Sequence, residues 1–450
     1  MFVSPKRYDL INSVETIKLA HAFFSGRELV NMYKQKNPGK KVVSVTLPYS
    51  EIIVAMDAIP LNLLRYEEFT YKNTHALLRN MTNLTKTFGW TAMDNLMKVA
   101  YFTRAGADIV DIIVENLIGA LTERNAYVTK QAEQHGFPVD SCFGSRMLYG
   151  INLTVGKIAD ACFDVVYRCP FFYKYYDSLT PFMKNNYILD VPVDNGDTAE
   201  KTLESDLMEF ISMMEKLTGN RFSEERLAEA LNITNELKAL YKEILFVIAK
   251  NNVIPYNPLT FSNVQAVMMY SFIDFNSNLK AYKTNLKNLY AEMLKKVESG
   301  NGFDASKTPK VLYTPMFTGL EEENVKILSR LGARVILADW EIFGYLEPVN
   351  TSNNVLRNFV RHMLKMGQFL GPNSETLAST MIRVAKDLNA DGVLFQSSFA
   401  CKNIAPVLKI FKEKARLSGI PVVETSFNNM GENIEQNKTR LEAFMEMIKE

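Results

Sequence analysis

Several familiar signals are scarce in this chain or missing from it, and each absence narrows what it can be. Its 450 residues include only four cysteines, Cys142, Cys162, Cys169 and Cys401. No two of them stand at C-x-x-C spacing, so neither a zinc ribbon nor a disulfide framework is indicated. An excess of one charge is also lacking: 51 Lys and Arg stand against 50 Asp and Glu, a formal charge of +1. That balance argues against nucleic-acid binding through a broad basic surface, while leaving room for a local basic pocket. No stretch approaches the roughly 18 uncharged apolar residues of a membrane span. Residues 1–26 carry Lys6, Arg7, Asp9, Glu15 and Lys18 without a sustained apolar block, so no signal peptide is expected there. The expectation is a cytoplasmic chain with reduced thiols and no membrane contact. Catalytic signatures are missing as well. The four histidines, His21, His75, His135 and His362, lie near no Ser or Cys nucleophile motif. G-x-S-x-G, G-x-x-x-x-G-K-[ST] and G-x-G-x-x-G do not occur, so the usual phosphate loops are not expected.

What is present is a strand-and-helix rhythm in two regions. Apolar residues make up 47% and charged residues 22%, the composition of a globular chain with a large core. In the first region, Val42 to Leu47, Ala58 to Leu64, Phe163 to Tyr167 and Tyr187 to Val193 read as strands with helical patterns between them. In the last region the strands are Lys310 to Tyr313, Arg334 to Ala338, Gly392 to Phe395 and Pro421 to Thr425. Thr318 to Glu321 reads as a capping box and Gly332 as a helix stop. Between the regions, Lys201 to Glu298 is almost all helical, with Leu227, Ala230, Leu231, Thr234 and Leu237 at helical spacing. Asn251 to Pro258 breaks it, and Gly300-Asn301-Gly302 reads as a linker. The expected class is α/β, with two similar Rossmann-like parallel-sheet domains flanking a helical segment. The expected boundaries are 1–200 for the N-terminal helices and first α/β domain, 201–305 for the helical middle and 306–450 for the second α/β domain. A helical block over about 73–134 is read as an insertion in the first domain.

The cysteines matter for where they fall. Cys142 opens a helical pattern in Pro138 to Arg146, Cys169 follows the strand Phe163 to Tyr167, and Cys401 follows Val393 to Gln396. In a parallel sheet, ligands gather beyond the carboxyl ends of the strands. Thiols from both domains meeting across a cleft would suit a soft metal centre such as an iron–sulfur cluster. Equally, each cysteine taken alone can be a small buried hydrophobe. Cys162 lies inside the apolar run entering a strand and reads as a core thiol.

These segments resemble the 2-hydroxyacyl-CoA dehydratase / benzoyl-CoA reductase family over most of the chain. The resemblance is carried by Pro138-Val139-Asp140-Ser141-Cys142 through Arg146 and Gly150, by Cys169 through Lys174-Tyr175-Tyr176-Asp177, and by Asp391-Gly392-Val393-Leu394-Phe395 through Cys401-Lys402. Gly419 to Glu424 and Lys438 to Phe444 extend it. It implies a [4Fe-4S] cluster held by Cys142, Cys169 and Cys401 between two α/β domains. It also implies three partners: a homologous second subunit forming a heterodimer, an iron–sulfur ATPase activator and an acyl-CoA substrate. The implied reaction reduces the thioester to a ketyl radical anion, which expels the 2-hydroxyl group and returns the electron at the end. Related benzoyl-CoA reductases consume electrons instead.

The chain departs from the family pattern at Pro170, where many members have Asp after the cysteine, and in lacking an obvious carboxylate just after Pro48. The helical block 73–134 also looks larger than usual. The first two departures suit a companion subunit that relays an electron without binding substrate. On the catalytic reading, Glu51, Glu67 or Glu68 would do acid/base work, and Ser44 would contact a thioester oxygen. On the structural reading they are solvated charges and a plain strand serine. The run Lys36 to Lys41 would meet CoA phosphates or be a solvated loop, and Arg146 is a structural or cluster-adjacent charge. A ring or other acyl-CoA reductase, or a homologue without a cluster, completes the alternatives.

Overall fold

The computed structural model describes residues 14–65, 87, 122–167, 169, 173, 175, 185–316, 319–370 and 373–449. Two four-stranded parallel sheets organise it. The first contains β1 (Val42–Val45), β2 (Ile59–Asn62), β3 (Ala161–Val166) and β4 (Asn186–Asp190), in the order β2-β1-β3-β4. Strands β1, β2 and β3 are buried along their whole length, and apart from Ser44, Asn62 and Asp164 their residues are apolar. Pro60 has no N–H to give and lies in an edge strand. Strand β4 ends at Asp190, before the expected Val193, because Pro192 cannot donate to the ladder.

A two-stranded antiparallel ribbon, β5 (Val253–Ile254) with β6 (Phe303–Asp304), precedes the second sheet. It is built from the segments read in the sequence as a break and a linker. Gly302 permits this pairing, since a Cβ there would stand 2.2 Å from the Ile254 carbonyl oxygen. The second sheet contains β7 (Lys310–Tyr313), β8 (Arg334–Leu337), β9 (Gly392–Ser398) and β10 (Val422–Phe427). Its order is β10-β9-β7-β8. Counted within each sheet, both therefore run second-first-third-fourth. The α/β class and its two parallel sheets match the sequence expectation. Of the block expected over 73–134, only residue 87 and the helix 122–134 fall among the described residues.

The expected capping box does not form as read. Glu321 itself is the N-cap of the helix Glu322–Arg330, and its carboxylate accepts the Glu323 N–H at 3.4 Å. A second bond from the Gly431 N–H at 2.8 Å fixes that carboxylate. Thr318 lies outside the described residues.

The helices include, in chain order, α1 (Val14–Phe24), α2 (Gly26–Lys36), α3 (Glu51–Ala55), α4 (Phe143–Val155), α5 (Asp197–Thr218), α6 (Glu224–Glu243) and α7 (Pro258–Asp274). Helix α7 is the most enclosed. Asn257 caps it by accepting the Thr260 N–H at 2.9 Å, and Pro258 starts it. Fourteen of its 17 residues are buried, as expected of a helix covered on every side. Its polar residues serve neighbouring backbone. Ser262 Oγ donates to the Val335 carbonyl at 2.8 Å, and Gln265 Oε1 accepts the Leu337 N–H at 3.1 Å. Both bonds satisfy the otherwise open edge of β8.

The other end of α7 is pinned to the first sheet. Arg65 and Asp274 form an ion pair with both side chains 0% exposed. Arg65 also donates to the carbonyls of Phe23 (3.2 Å) and Ala22 (3.1 Å) and to Ser277 Oγ (3.2 Å). Asp274 accepts the N–H groups of Asn62 (2.7 Å) and Asn276 (3.1 Å). The entry to α2 comes so close that a Cβ on Gly26 would lie 2.5 Å from the Arg65 carbonyl oxygen. Removing one member of such a pair strands the other charge in a dry interior. Asp274→Ala should therefore cost roughly 3–5 kcal/mol, read as a fall in the urea midpoint, with Asp274→Asn costing less because it keeps the N–H acceptor.

Candidate functional site

A parallel sheet opens a crevice where its strand order reverses, beyond the carboxyl ends of its first and third strands. Here the two sheets direct those crevices into one cavity of about 190 Å³. The first sheet contributes Thr46 after β1, and Tyr167 and Cys169 after β3. The second contributes Met316 and Gly319 after β7, Asp339 and Trp340 after β8, and Cys401 and Asn403 after β9. Helix α7 forms a wall through Ala266, Val267, Tyr270 and Ile273, and the helix 122–134 adds Arg124.

Three cysteines reach this cavity from three different elements. Cys142 is the N-cap of α4, with its sulfur 3.2 Å from Ser145 Oγ. Cys169 is half-buried, just past β3. Cys401 follows Ala400, whose left-handed backbone (φ 60°) turns the chain after β9. Burial pushes the Cys401 thiol up to about 12, and the nearby Cys142 and Cys169 add to this. The N–H groups of Ile404 and Asn403 oppose the shift by donating to the sulfur. Among the described residues, no three His, Cys, Asp or Glu side chains are gathered closely enough to hold a metal ion as they stand. The chemistry of the three cysteines nevertheless suits an iron–sulfur centre, with soft sulfur donors from both sheets and backbone N–H groups at one sulfur.

Cys162 does not line this cavity. It lies within β3, donates to Asp164 Oδ2 at 3.3 Å and faces a separate small void. Ser44 borders that same void, with its hydroxyl 3.5 Å from the Ala161 carbonyl. Glu51 is buried at the start of α3 and accepts the Tyr345 hydroxyl at 3.1 Å, away from the cavity lining. Glu67 and Glu68 lie outside the described residues. In the run Lys36 to Lys41, Lys40 pairs with Asp57 at 2.8 Å. Arg146 is a structural tie. From α4 it pairs with Glu133 and donates to Asn428 Oδ1 (2.8 Å) and Asn429 Oδ1 (2.9 Å), in the loop after β10. It thereby joins the Cys142 helix to the second sheet.

The sequence reading missed Asp339, Tyr270 and Tyr167. Asp339 had a signal, since it directly follows a strand expected to end at Ala338. Burial, reinforced by neighbouring Glu341, pushes the Asp339 carboxyl well above the usual range, against the Met316 N–H that it accepts at 3.0 Å. Burial likewise raises Glu341 to about 7.

A sequence model of the family described as 2-hydroxyglutaryl-CoA dehydratase, D-component, matches residues 48–448. The chain belongs to this family. No curated protein matches it. Membership makes the chain a component of a 2-hydroxyacyl-CoA dehydratase, a lyase, and a D-component implies a partner component. Among the described residues of this dehydratase component, no helix is long and apolar enough to cross a membrane.

One buried acid beside the site gives a pH test. Burial raises Asp164 from 3.8 to about 6, opposed by hydrogen bonds from Thr46 (2.5 Å) and Cys162. The folded state therefore holds this proton more tightly than the unfolded state does. The stability so gained is full below pH ~4 and is lost as pH rises through ~6. Asp164→Asn should remove this dependence. Relative to the parent, its unfolding free energy from urea titration should rise between pH 4 and 7, reaching a gain on the order of 2–3 kcal/mol at pH 7.

Proposed function

We propose that this chain is the iron–sulfur subunit of an ATP-activated 2-hydroxyacyl-CoA dehydratase, with Cys142, Cys169 and Cys401 holding a [4Fe-4S] cluster. One observation carries the reading: in a member of a dehydratase family, three cysteines from the start of α4, the end of β3 and the end of β9 line a single cavity. Three protein thiolates leave one iron for a non-cysteine ligand. Bound there, the cluster would supply single low-potential electrons to a thioester.

The chain's own groups account for the rest. Cys401 must lose its proton to ligate, and the N–H groups of Asn403 and Ile404 stabilise the resulting thiolate. Arg146 holds the Cys142 helix against the second sheet, fixing the distance between cysteines from the two halves. The apolar walls of α7 keep water from the site. Val139 and Phe399, 63% and 58% exposed, precede Cys142 and Cys401 by three and two residues. A homologous second subunit or an iron–sulfur ATPase activator seated over the cysteines would cover them. The positions of Ser44 and Glu51 outside the cavity favour a second reading, in which this chain relays an electron to a partner that binds the acyl-CoA. The carboxyl of Asp339 on the cavity wall favours the catalytic reading.

Anaerobic reconstitution should give about four irons and four sulfides per chain, with a cluster signal in electron paramagnetic resonance after reduction. Cys142→Ser, Cys169→Ser and Cys401→Ser should each lose more than half of the iron, while Cys162→Ser keeps it. A chain that takes up no iron, or one in which Cys162→Ser loses the cluster and Cys142→Ser keeps it, overturns the assignment. Turnover of a 2-hydroxyacyl-CoA with partner and activator separates the dehydratase from the relay.

A further inference from the structure

We propose that Asp339 is the proton donor of the cavity, a carboxylic acid presented to the oxygen atoms of an acyl thioester lying between the two sheets. The identity of that ligand rests on the dehydratase reading; the presence of a neutral acid on the wall does not.

The geometry comes first. Asp339 stands two residues past the end of β8, is 2% exposed and lines the same cavity as the three cysteines. One of its oxygens accepts the Met316 N–H at 3.0 Å, which fixes the carboxyl plane. Its own N–H donates to Glu341 Oε1 at 3.0 Å, and Tyr241 of α6 donates to that same oxygen at 3.4 Å. Glu341 Oε2 is buried with no hydrogen-bond partner among the described residues.

Two carboxyls two residues apart are thus buried together. The groups facing them are the hydroxyls of Tyr241 and, from α7, Tyr270, and the Arg124 guanidinium, which acts on Tyr270, lines the same cavity. No ion pair to either acid occurs among the described residues. Like charges this close in a dry site cannot both ionise, so a proton is retained. Burial and the presence of Glu341 both favour keeping it on Asp339.

The chemistry then follows and balances. In dehydration of a 2-hydroxyacyl thioester, the C2–O bond breaks and the Asp339 proton joins the departing oxygen, which leaves as water. The carboxylate so formed recovers a proton from C3 as the C2–C3 double bond forms. The electron donated by the activator to the thioester is returned and does not enter this balance. Asp339 ends as it began.

An asparagine at 339 mimics a protonated aspartate: its oxygen still accepts the Met316 N–H and its amide still donates to a ligand, but it has no proton to transfer. The test uses the anaerobic assembled complex with 2-hydroxybutanoyl-CoA and without activator or ATP, so that nothing turns over. Infrared spectra should show a carboxylic-acid C=O band at pH 7.5 that Asp339→Asn removes, with the thermal midpoint of that variant unchanged or raised. Ligand binding, followed by calorimetry on the same sample, should shift the band. Asp339→Asn should bind within threefold of the parent, and Asp339→Ala at least tenfold more weakly. With activator and ATP restored, turnover by Asp339→Asn should fall by about 100-fold or more.

If Asp339→Asn removes no acid band, or lowers the thermal midpoint as loss of an ionised structural carboxylate would, the proposal is overturned whatever the complex binds. A ligand that binds without moving the band overturns it as well. An acid band present in a complex that binds no 2-hydroxybutanoyl-CoA overturns the assignment to a thioester and points the failure at the dehydratase reading.

Discussion

Everything around the cavity depends on a buried helix whose two ends belong to different sheets. Through Ser262 and Gln265, α7 completes the open edge of β8. Through Asp274 it meets Arg65, just past the end of β2. An ion pair with no water around it repays its desolvation only when every remaining donor and acceptor is occupied. Arg65 meets this demand with the carbonyls of Ala22 and Phe23 and the hydroxyl of Ser277, and Asp274 with two backbone N–H groups. The pair thereby gathers α1, the end of β2 and the end of α7 at one point, in a geometry that few other arrangements would satisfy. Its contribution is to the position of the wall more than to net stability.

Once the wall is placed, the site follows from repetition. Each sheet runs second-first-third-fourth, and each opens a crevice at the reversal. Facing the two crevices across α7 makes one cavity from two ordinary features. Each third strand, β3 and β9, then delivers a cysteine just beyond its end. The third cysteine needs a separate device, supplied by Arg146, which ties the N-terminal part of α4 to the loop after β10. No local run of sequence holds the thiol set, which is why its spacing carries no motif.

This division explains what could be read beforehand. The strands were legible because buried parallel strands are continuous apolar runs, as in Val42–Val45 and Arg334–Leu337. The positions of Cys169 and Cys401 relative to strand ends were legible for the same reason. The grouping of those two with Cys142 was not, and came only from family resemblance. Pairings set by tertiary contact escaped altogether. Nothing local joins Arg65 to Asp274, and the β5–β6 ribbon links segments that read as a break and a linker. Glu321 reads as the third helical residue of a capping box, yet a bond from Gly431, 110 positions away, keeps it at the cap itself. Asp339 follows an expected strand end, but its burial is set by α7 and the loop after β7, which nothing local records.

Behind the first sheet's contribution to the cavity lies a second buried polar cluster, and its protonation is fixed by its contacts. His362 Nε2 lies 2.9 Å from the Glu347 carbonyl, which can only accept, so that nitrogen carries the proton. Burial and the nearby Lys238 hold the imidazole well below its usual range, so Nδ1 is bare and accepts the Tyr49 hydroxyl at 3.2 Å. Tyr49 sits in a left-handed backbone conformation (φ 93°), a cost borne in the turn that leaves β1. Its hydroxyl also faces that of Tyr167, a residue of the cavity wall. The turn after β1 is therefore tied to the helix Val355–Leu370 through His362 and Met366. Protonating His362 would bury a cation beside Lys238. The turn after β1 thus keeps one arrangement across the neutral pH range, while ionisable groups that line the cavity, Cys401 and Asp339 among them, are left to respond to what enters it.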